Sequence, residues 1–171
     1  MASYTSLALR HIISRAVETQ IDRAPQPSPA SLRWALAYWQ DRRGGRRMPS
    51  RADLDPAHFP ALLPHVLLID VQANPLDFRY RLVGTGIVDR AGADHTGIRL
   101  ANLAYQGPQS ALWRLFSHTA RAAKPACAEV DSLTSLRMPR SAEILAMPLS
   151  PDGAAINMLF CVVEFPAAPR H

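Results

Sequence analysis

The sequence predicts one α+β domain built around a single antiparallel sheet, for three reasons. Two strand-like segments joined by an Asn-Pro turn lie in the middle of the chain. Three more strand-like segments close it, and Pro151-Asp152-Gly153 between the last two is typical of a hairpin. A helical pattern separates the two groups. Strands grouped in this way, rather than alternating with helices, favour an antiparallel sheet.

Composition sets the class of protein. The chain has 171 residues, of which 48% are hydrophobic and 19% charged, enough for one domain with a real core and too apolar for a disordered chain. No apolar run approaches the roughly 18–20 residues that span a bilayer, and the N-terminus lacks the features of a secretory signal. Cys127 and Cys161 form neither a disulfide framework nor a CxxC pair. We therefore expect a cytoplasmic protein with no membrane span.

The first segment, residues 4–23, has the periodicity of an amphipathic helix whose apolar stripe ends at Ile21. The earlier residues of the stripe are Leu9, Ile12, Ile13, Ala16 and Val17. An apolar stripe outside the main domain needs a partner surface, so we expect these residues to form a homodimer contact. The sequence thus divides into an N-terminal helix and linker (1–29), a main domain (30–165) and a C-terminal tail (166–171).

A second helix is predicted to run from about residue 30 to Arg43. Ser28-Pro29 supplies an N-cap and a first-turn proline, and Gly44-Gly45 ends the helix. The residues predicted to face inward are Leu32, Ala35, Leu36 and Trp39. Asp55-Pro56 repeats the cap signal and predicts a short helix through Leu63 that ends at Pro64.

The strands follow. His65–Gln72 is a nearly continuous apolar run and predicts a central strand, and Asp77–Thr85 alternates as a second strand does. The alternation puts two sets of side chains on opposite faces: Phe78, Tyr80 and Leu82 on one, Arg79, Arg81 and Val83 on the other. The remaining predictions are short helices in Gly86–Leu100, a longer helix in Pro108–Ala123, and strands at about Ala126–Thr134, Ala142–Ser150 and Ala155–Phe165.

Positive charge is concentrated in one loop. The formal net charge is +5, and the densest basic group comprises Arg42, Arg43, Arg46, Arg47 and Arg51. One interpretation is a loop that binds an anionic partner such as nucleic acid. The other is a solvated loop. Nucleic-acid modules place a recognition helix or stacking aromatics beside their charge, and the aromatic residues upstream have the spacing of a packed helix face instead. The sequence therefore favours the solvated loop.

No catalytic or metal motif is complete. Gly84-x-Gly86 follows a strand, but Asp89 occupies the third glycine position of a dinucleotide loop, where a carboxylate would repel the pyrophosphate. The histidines and cysteines lack the spacing of a zinc site. Arg79 and Arg81 could clamp an anion, although a neighbouring strand offers acids such as Asp70 as structural partners.

Several segments together resemble the Per-Arnt-Sim (PAS) superfamily, and most closely a group of small bacterial PAS proteins common in alphaproteobacteria. The matching pieces are the Trp-rich helix with its Arg/Gly loop, Pro49-x-Arg51-x-Asp53-x-Asp55-Pro56, Tyr80 to Thr85, Gly92 with Thr96-Gly97, and Pro148-Leu149-Ser150-x-Asp152-Gly153. The resemblance covers about residues 30–165. It implies a five-stranded antiparallel sheet of order 2-1-5-4-3, with helices on one face and a ligand cavity between them.

PAS domains differ in what they bind, so the resemblance assigns no cofactor: haem and flavin stay open, and neither is indicated. The flavin-photoadduct motif is absent, which argues against a blue-light sensor. The expected pocket lies between one sheet face and the longer helix, with His118 at its edge as a boundary residue or a haem ligand. Its predicted lining comprises Phe78, Tyr80, Leu82, Leu112, Leu115, Phe116, Thr119 and His118.

The function that this resemblance implies is a non-enzymatic sensory or regulatory module in signal transduction. Such a module binds a small ligand or a signalling protein and works as a homodimer. Two alternatives stay open. One is an anion- or nucleic-acid-binding protein that uses the arginine-rich loop. The other is an enzyme on a PAS-like scaffold, with Arg79 and Arg81 near His95 or His118.

Overall fold

The computed structural model of this protein describes Ile21 and residues 24–131 and 141–166. Within these ranges the helices are α1 (Ala30–Arg43), α2 (Thr85–Ala91) and α3 (Ala111–Ala122). The strands are β1 (Val66–Ala73), β2 (Leu76–Val83), β3 (Ala126–Asp131), β4 (Ser141–Leu149) and β5 (Met158–Glu164). Short 3-10 turns lie at Arg51–Asp53, Pro56–His58, Pro60–His65 and Leu100–Asn102. The predicted dimer residues Leu9, Ile12, Ile13, Ala16 and Val17 lie outside the described residues.

The five strands form one sheet of order β2-β1-β5-β4-β3, and every neighbouring pair is antiparallel. The predicted fold class and strand order are confirmed. The last strand inserts between the first and the fourth, so the two halves of the chain meet in the middle of the sheet. Val66 pairs with Val162 and Asp70 with Met158 along this join.

Both faces of the sheet are covered. Along β1, Leu67 and Ile69 belong to an inner core that includes α3, whereas Val66 and Leu68 belong to an outer core that includes α1. The β4 and β5 side chains alternate between the two cores in the same way. Helices were predicted on one face. Helix α1 instead covers the opposite face. The central strands carry apolar residues on both sides, so both faces of the sheet must be shielded from water.

Helix α1 is held to the outer face at both ends. At its start, the Ser28 amide donates to Glu143 Oε1 (3.1 Å) and the Ser31 hydroxyl to Glu164 Oε2 (2.7 Å). Near its end, the Trp39 indole N–H donates to the Pro148 carbonyl (2.9 Å). The predicted N-cap at Ser28 is wrong. The helix begins one residue later, so Pro29 is the N-cap residue and no side chain caps this end.

A register shift in the β1–β2 pair reverses part of a predicted face. Leu68 pairs with Leu82 and Ile69 with Tyr80, so Arg81 is an extra residue on β2. Leu82 was predicted to face the core with Phe78 and Tyr80. It is 41% exposed, and that prediction is wrong. Beyond the bulge the alternation restarts, and Val83 packs against the inner core instead.

The short helix predicted after Asp55 differs from the prediction at its C-terminal end. The Asp55 cap is confirmed, since its side chain accepts from the Ala57 amide (2.9 Å). The short helix that follows does not end at Pro64. It forms two 3-10 turns, and the second runs to His65 with Pro64 inside it. A 3-10 helix of only six residues tolerates proline because few of its amides have a partner to lose.

Gly84 sits where two backbone segments approach closely. A Cβ added at Gly84 would lie 2.4 Å from the Pro64 carbonyl oxygen and 2.6 Å from that of Leu63. The same carbonyl of Pro64 would be 3.1 Å from a Cβ at Gly86. The Gly-x-Gly sequence after β2 therefore lets α2 pack on the 3-10 turn at residues 60–65 and has a structural cause.

We expect Gly84→Ala to lower the free energy of unfolding by at least about 2 kcal/mol, because the atoms in its way are backbone and cannot move aside cheaply. Urea unfolding measures this. Gly45→Ala is the matched control, since nothing lies within 4 Å of its added Cβ. It should change the same quantity by less than about 0.5 kcal/mol. Equal effects of the two substitutions would contradict the close approach at Gly84.

Candidate functional site

Most residues of the predicted pocket are brought together, as parts of the inner core. The buried members are Phe78, Tyr80, Leu112, Leu115, Phe116 and Thr119. The Phe78 ring lies 5.1 Å from that of Trp113 and 5.6 Å from that of Phe116, both edge-on. The Thr119 hydroxyl donates to the Leu115 carbonyl within α3 (2.9 Å). These side chains therefore pack largely against one another.

One polar pair lies inside this core. The Tyr80 hydroxyl donates to Gln106 Oε1 (2.5 Å), and both residues are buried. Burial raises the pKa of Tyr80 well above its usual value, so the phenol stays protonated and keeps donating. The bond ties the loop before α3 to β2. Sequence reasoning missed Gln106, because no pattern distinguishes it from a surface glutamine.

A cavity of about 630 Å³ runs along one flank of α3. It is lined by Ile21, Pro108, Trp113, Arg114, Ser117, His118, Arg121 and Ala122. The helical members recur every three to four residues, which puts them on one face of α3, beside the face that packs on the sheet. His118 lines this cavity and is not part of the inner core. The periodicity of α3 indicates this second face as well as the apolar one.

The cavity has a mixed lining. Trp113 and Ile21 are buried and also belong to the inner core, so they form a wall shared by core and cavity. Arg114, His118 and Arg121 supply basic groups, and none of the described lining residues is acidic. Ser117 is only 7% exposed, and its hydroxyl has no hydrogen-bond partner among the described residues. A buried hydroxyl without a partner costs free energy.

Ser117→Ala should therefore raise the free energy of unfolding of the ligand-free protein by about 1.5 kcal/mol, more than the ~0.5 kcal/mol that the helix propensity of alanine provides. Thermal or urea unfolding measures this. Ser110→Ala is the control in the same helix, because the Ser110 hydroxyl caps α3 by accepting from the Trp113 amide (3.0 Å). That substitution should destabilise by about 1 kcal/mol. Two losses of similar size would mean that Ser117 already has a partner.

The arginine-rich loop is largely engaged with its own chain. Arg46 donates to Asp53 Oδ2 (2.9 Å) and Arg42 to Asp41 Oδ2 (2.6 Å). Arg51 donates to the Leu54 carbonyl (3.0 Å). Arg43 donates to the Arg46 carbonyl and lies over the Trp39 ring, whereas Arg47 is exposed. Most of these guanidinium groups therefore stabilise the loop itself.

Asp53 is the anchor of this loop. Its Oδ2 accepts from Arg46, from the Ser50 amide (2.7 Å) and from the Ser50 hydroxyl (2.8 Å). The hydrogen bond from Arg46, followed by those from Ser50, lowers the pKa of Asp53 from 3.8 to about 2. A carboxyl with a lowered pKa stabilises the fold above its unfolded pKa and loses that contribution as the pH falls through its folded pKa.

We expect Asp53→Asn to lower the free energy of unfolding at neutral pH by no more than about 1 kcal/mol, since the group is near the surface. The difference from the unsubstituted protein should shrink as the pH falls from about 4 to about 2. Urea unfolding over a pH series measures it. Asp41→Asn, which breaks an exposed ion pair in the same loop, should have little effect throughout. A pH-independent deficit in Asp53→Asn would contradict this role.

The structure also accounts for Arg79 and for the two cysteines. Arg79 pairs with Asp70 across the β1–β2 ladder (2.9 Å), as the strand pattern indicated. Cys161 is fully buried, and burial followed by the nearby Glu143 raises the pKa of Cys127 to about 12. A thiol in that state is not a nucleophile at neutral pH. No three His, Cys, Asp or Glu side chains lie together as a metal site within the described ranges.

Comparison with protein-family models matches residues 28–163 to the PAS domain. The chain belongs to the PAS-domain family. The resemblance to the PAS superfamily is confirmed, and the match begins just before α1, so the helix on the outer face is part of the PAS domain. PAS domains are in general sensory or regulatory modules and typically not catalytic. A search of curated proteins finds no match to this chain. No helix in the described part of this PAS protein has the length and apolar character needed to cross a membrane.

Proposed function

We propose that this PAS protein is a non-enzymatic regulatory module in which a small molecule held beside α3 changes how the chain contacts a second copy or a signalling partner. It works in the cytoplasm as a homodimer. Membership of the PAS family supports the sensory role. The two thiols, whose pKa values are raised, and the internally paired arginines support a role without catalysis.

The observation that carries the proposal is the position of Ile21. Ile21 is 4% exposed, belongs to the inner core and also lines the cavity on α3. It is the last residue of the apolar stripe that begins at Leu9. A ligand in the cavity therefore touches α3 on one side and the end of the predicted dimer segment on the other.

This arrangement provides a route from input to output. A ligand shifts an equilibrium only when it interacts differently with the two states. A molecule that packs against Ile21 does so, because any change in how residues 1–20 meet a partner alters where Ile21 lies in the cavity wall. The stripe of Leu9, Ile12, Ile13, Ala16 and Val17 then supplies the apolar contact between two copies.

The test is the mass of the full chain in solution by light scattering. Ile13→Gln with Val17→Gln places two amides in the stripe and should convert a dimer into a monomer. Arg10→Gln with Arg15→Gln changes the same segment off the stripe and should leave the dimer intact. A monomeric unsubstituted chain, or a dimer that survives the changes at Ile13 and Val17, would refute this contact.

A further inference from the structure

We propose that the cavity beside α3 is a binding site for a small organic anion, a carboxylate or phosphate monoester attached to an apolar group. The proposal takes the cavity as the ligand site of the proposed function and adds the chemistry of the ligand. It depends on three features of the lining: two arginines that form no ion pair with a described residue, a buried hydroxyl and an apolar wall.

The positive charge comes from Arg114 and Arg121. They are seven residues apart on α3, or about 10 Å along the helix axis, with their side chains on the same flank. Neither forms an ion pair with any described residue, in contrast to Arg42, Arg46 and Arg79. His118 lies between them on the same lining. An anion in the cavity would receive charge-assisted hydrogen bonds from both guanidinium groups.

The hydroxyl of Ser117 marks where the anionic group goes. Ser117 lies between Arg114 and Arg121 in sequence and lines the same cavity. Only 7% of its surface is exposed, and its hydroxyl oxygen has no hydrogen-bond partner within the described ranges. A ligand oxygen would accept from this hydroxyl and remove the cost of leaving it without a partner.

The rest of the lining fits an apolar group. Trp113, Ile21 and Pro108 form a wall with no charge, and Trp113 is backed by the Phe78 ring. A volume of about 630 Å³ is in the range of small-molecule pockets. Phosphate alone would leave this wall unused, and a nucleic-acid backbone binds along an extended basic surface rather than in one cleft with an apolar wall. The lining therefore favours an anion with an aromatic or aliphatic body.

The experiment is calorimetric titration of the full chain with 2-naphthoate, 2-naphthyl phosphate and the uncharged 2-naphthylmethanol. One or both anions should bind at least about tenfold more tightly than the alcohol, and the tighter of the two identifies the anionic group. If neither anion binds at up to about 5 mM, or if the alcohol binds as well as both, the proposal is overturned.

Substitutions in the cavity lining test whether the anion binds there. Arg114→Gln with Arg121→Gln should weaken the preferred anion at least about tenfold, and Ser117→Ala about threefold or more. Arg47→Gln with Arg81→Gln removes the same charge from exposed positions elsewhere and should not change the affinity. Equal affinity in the two double variants would overturn the site. Circular dichroism confirms that every variant is folded.

The measurements distinguish a failure of the anion site from a failure of the proposed dimer contact. Anion binding that depends on Arg114 and Arg121 but leaves the solution mass unchanged at saturation supports the site and counts against the signalling route. A dimer that depends on Ile13 and Val17 in a chain that binds neither anion supports the dimer contact and overturns the anion site.

Discussion

The structure depends on one constraint, which is that the central strands are apolar on both faces. Leu67 and Ile69 of β1 face one core while Val66 and Leu68 face the other, and β4 and β5 alternate in the same way. Such a sheet is stable in water only when both faces are covered. Helix α3 covers the inner face, and α1 must cover the outer one. The hydrogen bonds from Ser28, Ser31 and Trp39 hold it there.

Much of this could be predicted from local sequence. Turn residues at Asn74-Pro75 and Asp152-Gly153 indicate where one strand ends and the next begins. The family motifs predict the order of the strands in the sheet. The bulge at Arg81 could not be predicted, because a one-residue register shift depends on how both strands meet their neighbours. The Ser28 cap failed because the helix begins one residue later, at a place where the Ser28 amide contacts Glu143, 115 residues away, and local sequence does not show that contact.

The site was harder to predict than the fold. Apolar periodicity identifies side chains that face inward, and the predicted pocket residues on α3 do so. It does not tell a lined cavity from a packed core. The aromatic contacts of Phe78 occupy the inner face, so the cavity lies on the next flank of α3 with Ser117 and Arg114. Ile21 joins that flank to the segment before the domain, so the proposed ligand site and the proposed dimer segment meet there.

Amide hydrogen exchange of the full chain, with and without a saturating naphthyl anion, tests this account most directly. We expect the backbone amides of Ala111–Ala122 and those around Ile21 to exchange more slowly in the ligand-bound protein. The amides of α1 and of the loop at residues 44–53 should change little. Protection confined to the arginine-rich loop, or protection of α3 without any change around Ile21, would contradict it.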